Sequence, residues 1–529
     1  MTARLPCPPA PAPVEVYAAQ FDDLFASRAQ RQGFRDYLVG LLAPRDRNKT
    51  LTCLAGAEPV VDAQHRRVQQ LQWFLSESPW DHKKINSRRV ELLARQPGAA
   101  PHPGGALVVD DSGDRKSGHA TAGVSRQYLG SRGGIEAGVV AVTTAWADER
   151  TYHPLHTRLY VPAPCLPGGR EDPSFRTKGQ IAAGLVEDAC TAGIPFRAVV
   201  ADCFYGPSES PGLVAELRRA GLPFVLALKP NLELPHPDED SQVRTPAQAA
   251  RERVWDCPDR PGQWTPVRRT YRDGHTETWW ATDCRAGPYR IGGPLRLVVA
   301  TTDPATLPAT STWYLATTLA HPDLPTRPDS PFPPAAYDEI VRLYGLRGWV
   351  EQDYKQVKHE LGWADFQVRS ATAIQRHWTL VNCAFSLCWH DSAPAATPPG
   401  SGPDQTPPRP APPSWPASLR QVRACLTPLL FLLQICRTWP AIPTPSPLHE
   451  LIVGRRRAPA PPLPTTLVMQ RNYRSQQTTV SQGVSWSPLR AQLDAHPLAG
   501  LVDVRPNVCH APIPYGGRGP KSSVTLPEG

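Results

Sequence analysis

No Cys-x-x-Cys pair occurs in the 529 residues, although 12 cysteines are scattered along the chain. That absence argues against a zinc site built on paired thiolates. Cys383 and Cys388, with His390 nearby, come closest to a metal cluster, yet they sit in the apolar stretch from Trp378 to Trp389, which reads as a core helix carrying structural thiols. A long apolar run is missing too: the stretch Leu426 to Cys436 is too short to span a bilayer. The opening Met1-Thr2-Ala3-Arg4 has no apolar export segment, so the expectation is a reducing cytoplasm, free thiols and no membrane partner. Methionine is scarce, at two residues, while Arg, Ala and Pro abound. That bias follows GC-rich coding, and it weakens what the net charge of +9 and the pI near 9.0 say by themselves, although both suit a polyanionic partner.

The informative residues are Tyr344, Arg347, Glu351 and Lys358. At about 100° per residue their spacing predicts one helix with all four on one side. A carboxylate flanked by Arg, Lys and Tyr suits phosphodiester chemistry, because the acid holds a metal ion while its neighbours grip phosphates. An amphipathic helix with solvated charges is the plainer alternative. Two strands are expected upstream. Leu107-Val108-Val109 runs into Asp110-Asp111-Ser112-Gly113, and Phe196-Arg197-Ala198-Val199-Val200-Ala201 runs into Asp202. Apolar strands stopping on Asp put carboxylates at a sheet edge, where α/β folds bind ligands. A strand followed by an Asx turn is the plainer reading of each.

Together, these segments resemble the DDE transposases of bacterial insertion sequences. Tyr344-x2-Arg347-x3-Glu351-x6-Lys358 matches the YREK signature of one branch, and Asp110-Asp111-Ser112-Gly113 with Ser125 to Gly130 looks like the first-strand block of a subgroup. The resemblance spans about Ala106 to Trp389. It implies a ribonuclease-H-like α/β core with a β-rich insertion, preceded by an N-terminal helical domain. It also implies cut-and-paste movement of the element by two-metal phosphoryl transfer. Asp110 or Asp111, Asp202 and Glu351 would be catalytic and would bind two Mg²⁺ ions, with Mn²⁺ able to substitute. Related proteins tend to carry Asp-x-Ser/Thr here, which favours Asp110 as the ligand, and Asp111 is kept beside it because strand alternation sends the two side chains to opposite faces. Tyr344, Arg347 and Lys358 would contact DNA phosphates. The implied partners are double-stranded DNA, as terminal inverted repeats and as target, and a second copy of the chain on paired ends. The implied location is the bacterial cytoplasm, at the nucleoid. A catalytically inactive, DNA-binding relative is the alternative function, and a small-substrate hydrolase with paired carboxylates is a third reading. Relatives often place Trp directly after the motif Arg; here Gly348 stands there and Trp349 follows.

The expected organisation begins with helices in residues 1–95, a transposon-end-binding domain by the resemblance, although no helix-turn-helix pattern names a recognition helix. Residues 96–105 read as a linker and 106–392 as the catalytic domain, with the β-rich insertion at about 230–335. Trp279 and Trp280, within that insertion, read as core packing or as a base-stacking pair. Residues 393–417 read as a Pro-rich disordered linker, 418–465 as a helical segment and 466–529 as an irregular tail.

Overall fold

Short runs of fully buried aliphatic residues build the centre of the fold. The computed structural model describes residues 7, 9–57, 64–96, 98–206, 212–235, 243–271, 273–284, 295–323, 332–391 and 414–438. Much of the Pro-rich linker, most of the segment 418–465 and the whole tail 466–529 therefore lie outside the described residues.

Helices come first: α1 (Ala12–Ala18), α2 (Arg28–Leu42), α3 (Leu51–Leu54), α4 (Arg66–Ser76) and α5 (His82–Ala94). A capping box starts α2, in which the Ser27 hydroxyl accepts from the Gln30 amide and the Gln30 side chain accepts from the Ser27 amide. Four strands follow, β1 (Ala106–Arg115), β2 (Ser125–Leu129), β3 (Gly134–Ala147) and β4 (Tyr152–Tyr160). Then come α6 (Lys178–Thr191), β5 (Ala198–Ala201), α7 (Leu213–Arg219) and β6 (Phe224–Ala227). The insertion supplies β7 (Leu234–Pro235), β8 (Val243–Arg244), α8 (Pro246–Arg251), β9 (Thr265–Thr270), β10 (Thr276–Cys284), β11 (Arg296–Thr301) and β12 (Thr312–Thr317). Four helices close the described chain: α9 (Tyr337–Gly345), α10 (Gly348–His359), α11 (Ala371–Asp391) and α12 (Trp415–Thr438).

One large mixed sheet has the order β2-β3-β1-β5-β6-β12-β11-β10-β9, with β4 also on β3, and β7 and β8 form a separate pair. The pairs β1·β5 and β5·β6 are parallel and the others antiparallel. The strands of the insertion thus extend the central sheet past β6. Side-chain alternation divides the core in two. Ala106, Val108, Ala198 and Val200 join a cluster with α2, α9, α10 and α11, while Leu107, Val109, Val199 and Ala201 join one with α6 and α7. Each Val or Leu among them contributes about 1.5–3 kcal/mol by leaving water.

The N-terminal helices pack in the first of these clusters, with Phe21, Phe34, Tyr37 and Leu41 beside Ile374, Trp378 and Phe385 of α11. Tyr37 and His377 make this contact specific: Nε2 of His377 donates to the Gly362 carbonyl, so Nδ1, 2.8 Å from the Tyr37 hydroxyl, accepts from it. Trp279 is 2% exposed and Trp280 9%, so both are core residues, as packing favoured over base stacking. Cys383 and Cys388 are buried in α11, as structural thiols should be. No helix among the described residues is long and apolar enough to cross a membrane.

Two expectations are corrected. The first strand does not stop at its carboxylates: β1 runs on to Arg115 because β3 pairs with it throughout, up to Arg115 opposite Gly138. It is the parallel partner β5 that ends early, with Val109 opposite Ala201, and this alone leaves Asp110 at an edge. Nor do the four motif residues lie on a single helix. Gly345 closes α9 and Gly348 opens α10, with tight bonds between them from the Arg347 amide to the Tyr344 carbonyl and from the Trp349 amide to the Leu346 carbonyl. These three-residue turns wind about 120° per residue, so the angular reading from an ideal helix fails across them. Two aromatic anchors hold the halves on different strands: Tyr344 meets Trp313 of β12 edge-on, and Trp349 stacks on Tyr152 of β4.

Candidate active site

Asp110, Thr143 and Asp202 share one face of the sheet. Asp110 lies opposite Thr143 in the β1·β3 ladder, and Asp202 is the first residue beyond β5. The helix pair α9 and α10 lies over this face and puts Arg347, the N-cap of α10, beside them. One guanidinium nitrogen of Arg347 is 3.4 Å from Asp110 and 3.8 Å from Asp202, and the other is 4.0 Å from Glu351. Three expected site carboxylates thus surround a single cation. Glu351 is the most open, with 63% of its side chain exposed, against 14% for Asp110.

The electrostatics follow from this geometry. Burial pushes the Asp110 carboxyl up to about 7; Arg347 opposes the rise and Asp202 adds to it, while the Asp111 amide donates 2.8 Å to the Asp110 carboxylate. Burial pulls the Arg347 guanidinium down, but Asp110, Tyr344, Asp202 and Glu351 outweigh it and leave the group raised. Burial likewise lifts the Tyr344 hydroxyl to about 12, so it acts at neutral pH as a neutral donor. Nε of Arg347 is buried without a hydrogen-bond partner.

Two of the expected residues stand apart from this group. Asp111 points to the opposite face, where its carboxylate pairs with the Lys178 ammonium at 2.7 Å. Lys358 pairs with Asp114 at 2.7 Å and donates to the Gly113 carbonyl, farther along β1. It ties α10 to that strand. Trp349 is 8% exposed and stacked on Tyr152.

Sequence reading passed over Lys178 and Tyr354 in this neighbourhood, and a buried acid, Asp353, whose nearby charge is Arg89. Lys178 was hidden at the start of α6; the capping box of Thr177 and Gln180 was the signal that a helix begins there. Tyr354 of α10 contacts the Thr143 hydroxyl at 2.6 Å across from Asp110. Asp353, beside it, is buried, with its carboxyl pushed up to about 8 by burial. Nothing in the local pattern marked it.

Among the described residues no group of three or more His, Cys, Asp or Glu side chains forms a metal cluster. The donor chemistry nonetheless fits a hard divalent cation. Asp110, Asp202 and Glu351 offer carboxylate oxygens only, and the desolvated Asp110 is the kind of acid that a nearby cation ionises.

Comparison with known proteins places the chain in a family. The family described as DDE superfamily endonuclease matches residues 20–286, a span that holds Asp110, Asp111 and Asp202 and stops before Tyr344. A protein named "Probable transposase for insertion sequence element IS701", from Microchaete diplosiphon, is 31% identical over 355 residues, covering 67% of this chain and 81% of that protein. With a mixed α/β sheet, edge carboxylates on one face and these matches, the chain belongs to the DDE superfamily of endonucleases.

Proposed function

We propose that this protein is a DNA transposase of the YREK branch, which cuts the ends of its own insertion sequence and joins them to target DNA. The observation that carries the reading is the gathering of Asp110, Asp202 and Glu351 around Arg347 on one sheet face. The name of the Microchaete diplosiphon relative supports the substrate. Strands β3, β1, β5 and β6, antiparallel and then parallel, support a ribonuclease-H-like core.

Asp110, Asp202 and Glu351 would hold two divalent ions, Mg²⁺ with Mn²⁺ as a substitute, which supply activation of the attacking oxygen and neutralisation of the leaving one. Asp110 is the ligand on the active face, and Asp111 serves as the partner of Lys178. Water attacks phosphorus at the element's end and releases a 3′-hydroxyl. That hydroxyl then attacks a target phosphorus, forming one P–O bond as the target's P–O3′ bond breaks. Arg347 holds the phosphate beside the scissile bond, since a planar guanidinium suits two phosphate oxygens. Tyr344 donates its hydroxyl to a neighbouring phosphate. Lys358 commits two of its three donors to Asp114 and Gly113 and offers the third to the backbone farther along. Residues 1–95 recognise the terminal inverted repeats, the insertion at 230–335 holds the end, and two copies act on paired ends.

The test is Mg²⁺-dependent cleavage of DNA carrying the native element's inverted repeats, with wild type and Glu351→Gln compared. Cutting at the repeat ends, lost in the variant by about 10³-fold, is the expected result. Repeat binding with no cutting by either protein would mean an inactive, DNA-binding relative.

A further inference from the structure

Beside the carboxylate group stands an aromatic residue that nothing so far uses. Phe204 is two positions past Asp202 and is 57% exposed. A single exposed Phe is ordinary on a protein surface. This one is held in place from three directions. Its amide donates to Oδ1 of Asp202 at 3.0 Å, which ties the aromatic and the carboxylate into one turn. Its ring meets the buried Tyr205 edge-on, with centroids 5.2 Å apart. Lys178, anchored by Asp111, sets its ammonium 4.9 Å from the ring centroid.

Cations border the turn. Lys178 flanks the ring on one side, and Arg347 reaches Asp202 on the other. Lys229 is exposed just past β6. Lys178, Arg347 and Lys229 stand among four carboxylates, Asp110, Asp111, Asp202 and Glu351. With divalent ions on the acids as proposed above, these cations and the fixed, open aromatic face match one occupant: a DNA strand whose phosphate sits at the acids and whose base meets the ring.

We propose that Phe204 stacks on the base beside the scissile phosphate of the strand being cut, with the Asp111–Lys178 pair positioning the ring. This rests on the transposase reading above. Aromatic stacking is indifferent to base identity, so the contact contributes placement rather than sequence readout. It also gives Asp111 a role that does not involve metal.

The test uses the full-length protein and a duplex of the native terminal repeat carrying 2-aminopurine at each nucleotide flanking the cut. In the Glu351→Gln background, binding should change the fluorescence at one flanking position. The double variant Phe204→Ala/Glu351→Gln should lose that change, Phe204→Trp/Glu351→Gln should keep it, and gel-shift affinity for the repeat should stay within a few fold throughout. With Glu351 intact, Phe204→Ala should cut about tenfold or more slowly through kcat, and Phe204→Trp should restore cutting. Unchanged fluorescence and unchanged cutting in Phe204→Ala would overturn the stacking role while leaving the transposase reading standing. Undiminished cutting by Glu351→Gln alone would overturn that reading and the stacking role with it.

Discussion

The two faces of β1 treat neighbouring aspartates differently. Asp110 faces α9 and α10, is desolvated, and shares Arg347 with Asp202 and Glu351. Asp111 faces α6 and has Lys178 to itself. Residue type and sequence neighbourhood are nearly the same. What differs is the number of acids per cation: three on one face and one on the other. A surplus of negative charge in a partly buried place is unstable unless a further cation or a reacting phosphate group completes it, whereas a balanced pair is structural. The contrast ties the proposed reactivity to charge imbalance.

The sharpest test of the contrast exchanges the two carboxylates in turn. Asp110→Asn should lower repeat-end cleavage by about 10³-fold while leaving repeat binding intact, and Asp111→Asn should retain cleavage within about tenfold. Equal losses would erase the distinction between the faces. Next in size is Arg347→Lys, expected to cut about 10²-fold more slowly, since an ammonium lacks the planar fork that spans two acids or two phosphate oxygens. Full activity in Arg347→Lys would mean that the active face needs only a point charge. The smallest effect belongs to the layer beneath the active face. His377 is pushed down to about 4 by burial, below its usual value near 6.5, and is fully enclosed. Between those values the unfolded chain binds the proton that the folded chain refuses, so stability is lost as pH falls from about 6.5 towards 4. The buried Asp110 and Asp353 carboxyls, raised to about 7 and about 8, act with the opposite sign over that window, so the readout is a difference: from pH 6.5 to 4 the melting temperature of the wild type should drop relative to that of His377→Gln. An unchanged slope would show that His377 is not carrying this dependence.

Much of the fold was legible because local chemistry agreed with it. The strands at Asp110 and Asp202, helix α6 and the strand at Phe224 all lie where apolar runs and caps put them, since each is bounded by its own turn or capping residues. The three acids that gather around Arg347 could be named from the sequence too, because edge carboxylates and a basic, acid-bearing motif are unusual enough to read one by one. The break between α9 and α10 was not, since it depends on where Trp313 and Tyr152 wait to receive Tyr344 and Trp349. Lys178 escaped notice because its partner, Asp111, lies 67 residues away.

The sequence by itself determined the family, the residue types of the site and the order of strands and helices, because each of these is written in short stretches of chain. Only the tertiary structure decided which carboxylate faces which cation. Ladder register, the early end of β5 and the bend at Arg347 are set by partners distant in sequence, and together they leave Asp110 crowded and Asp111 matched.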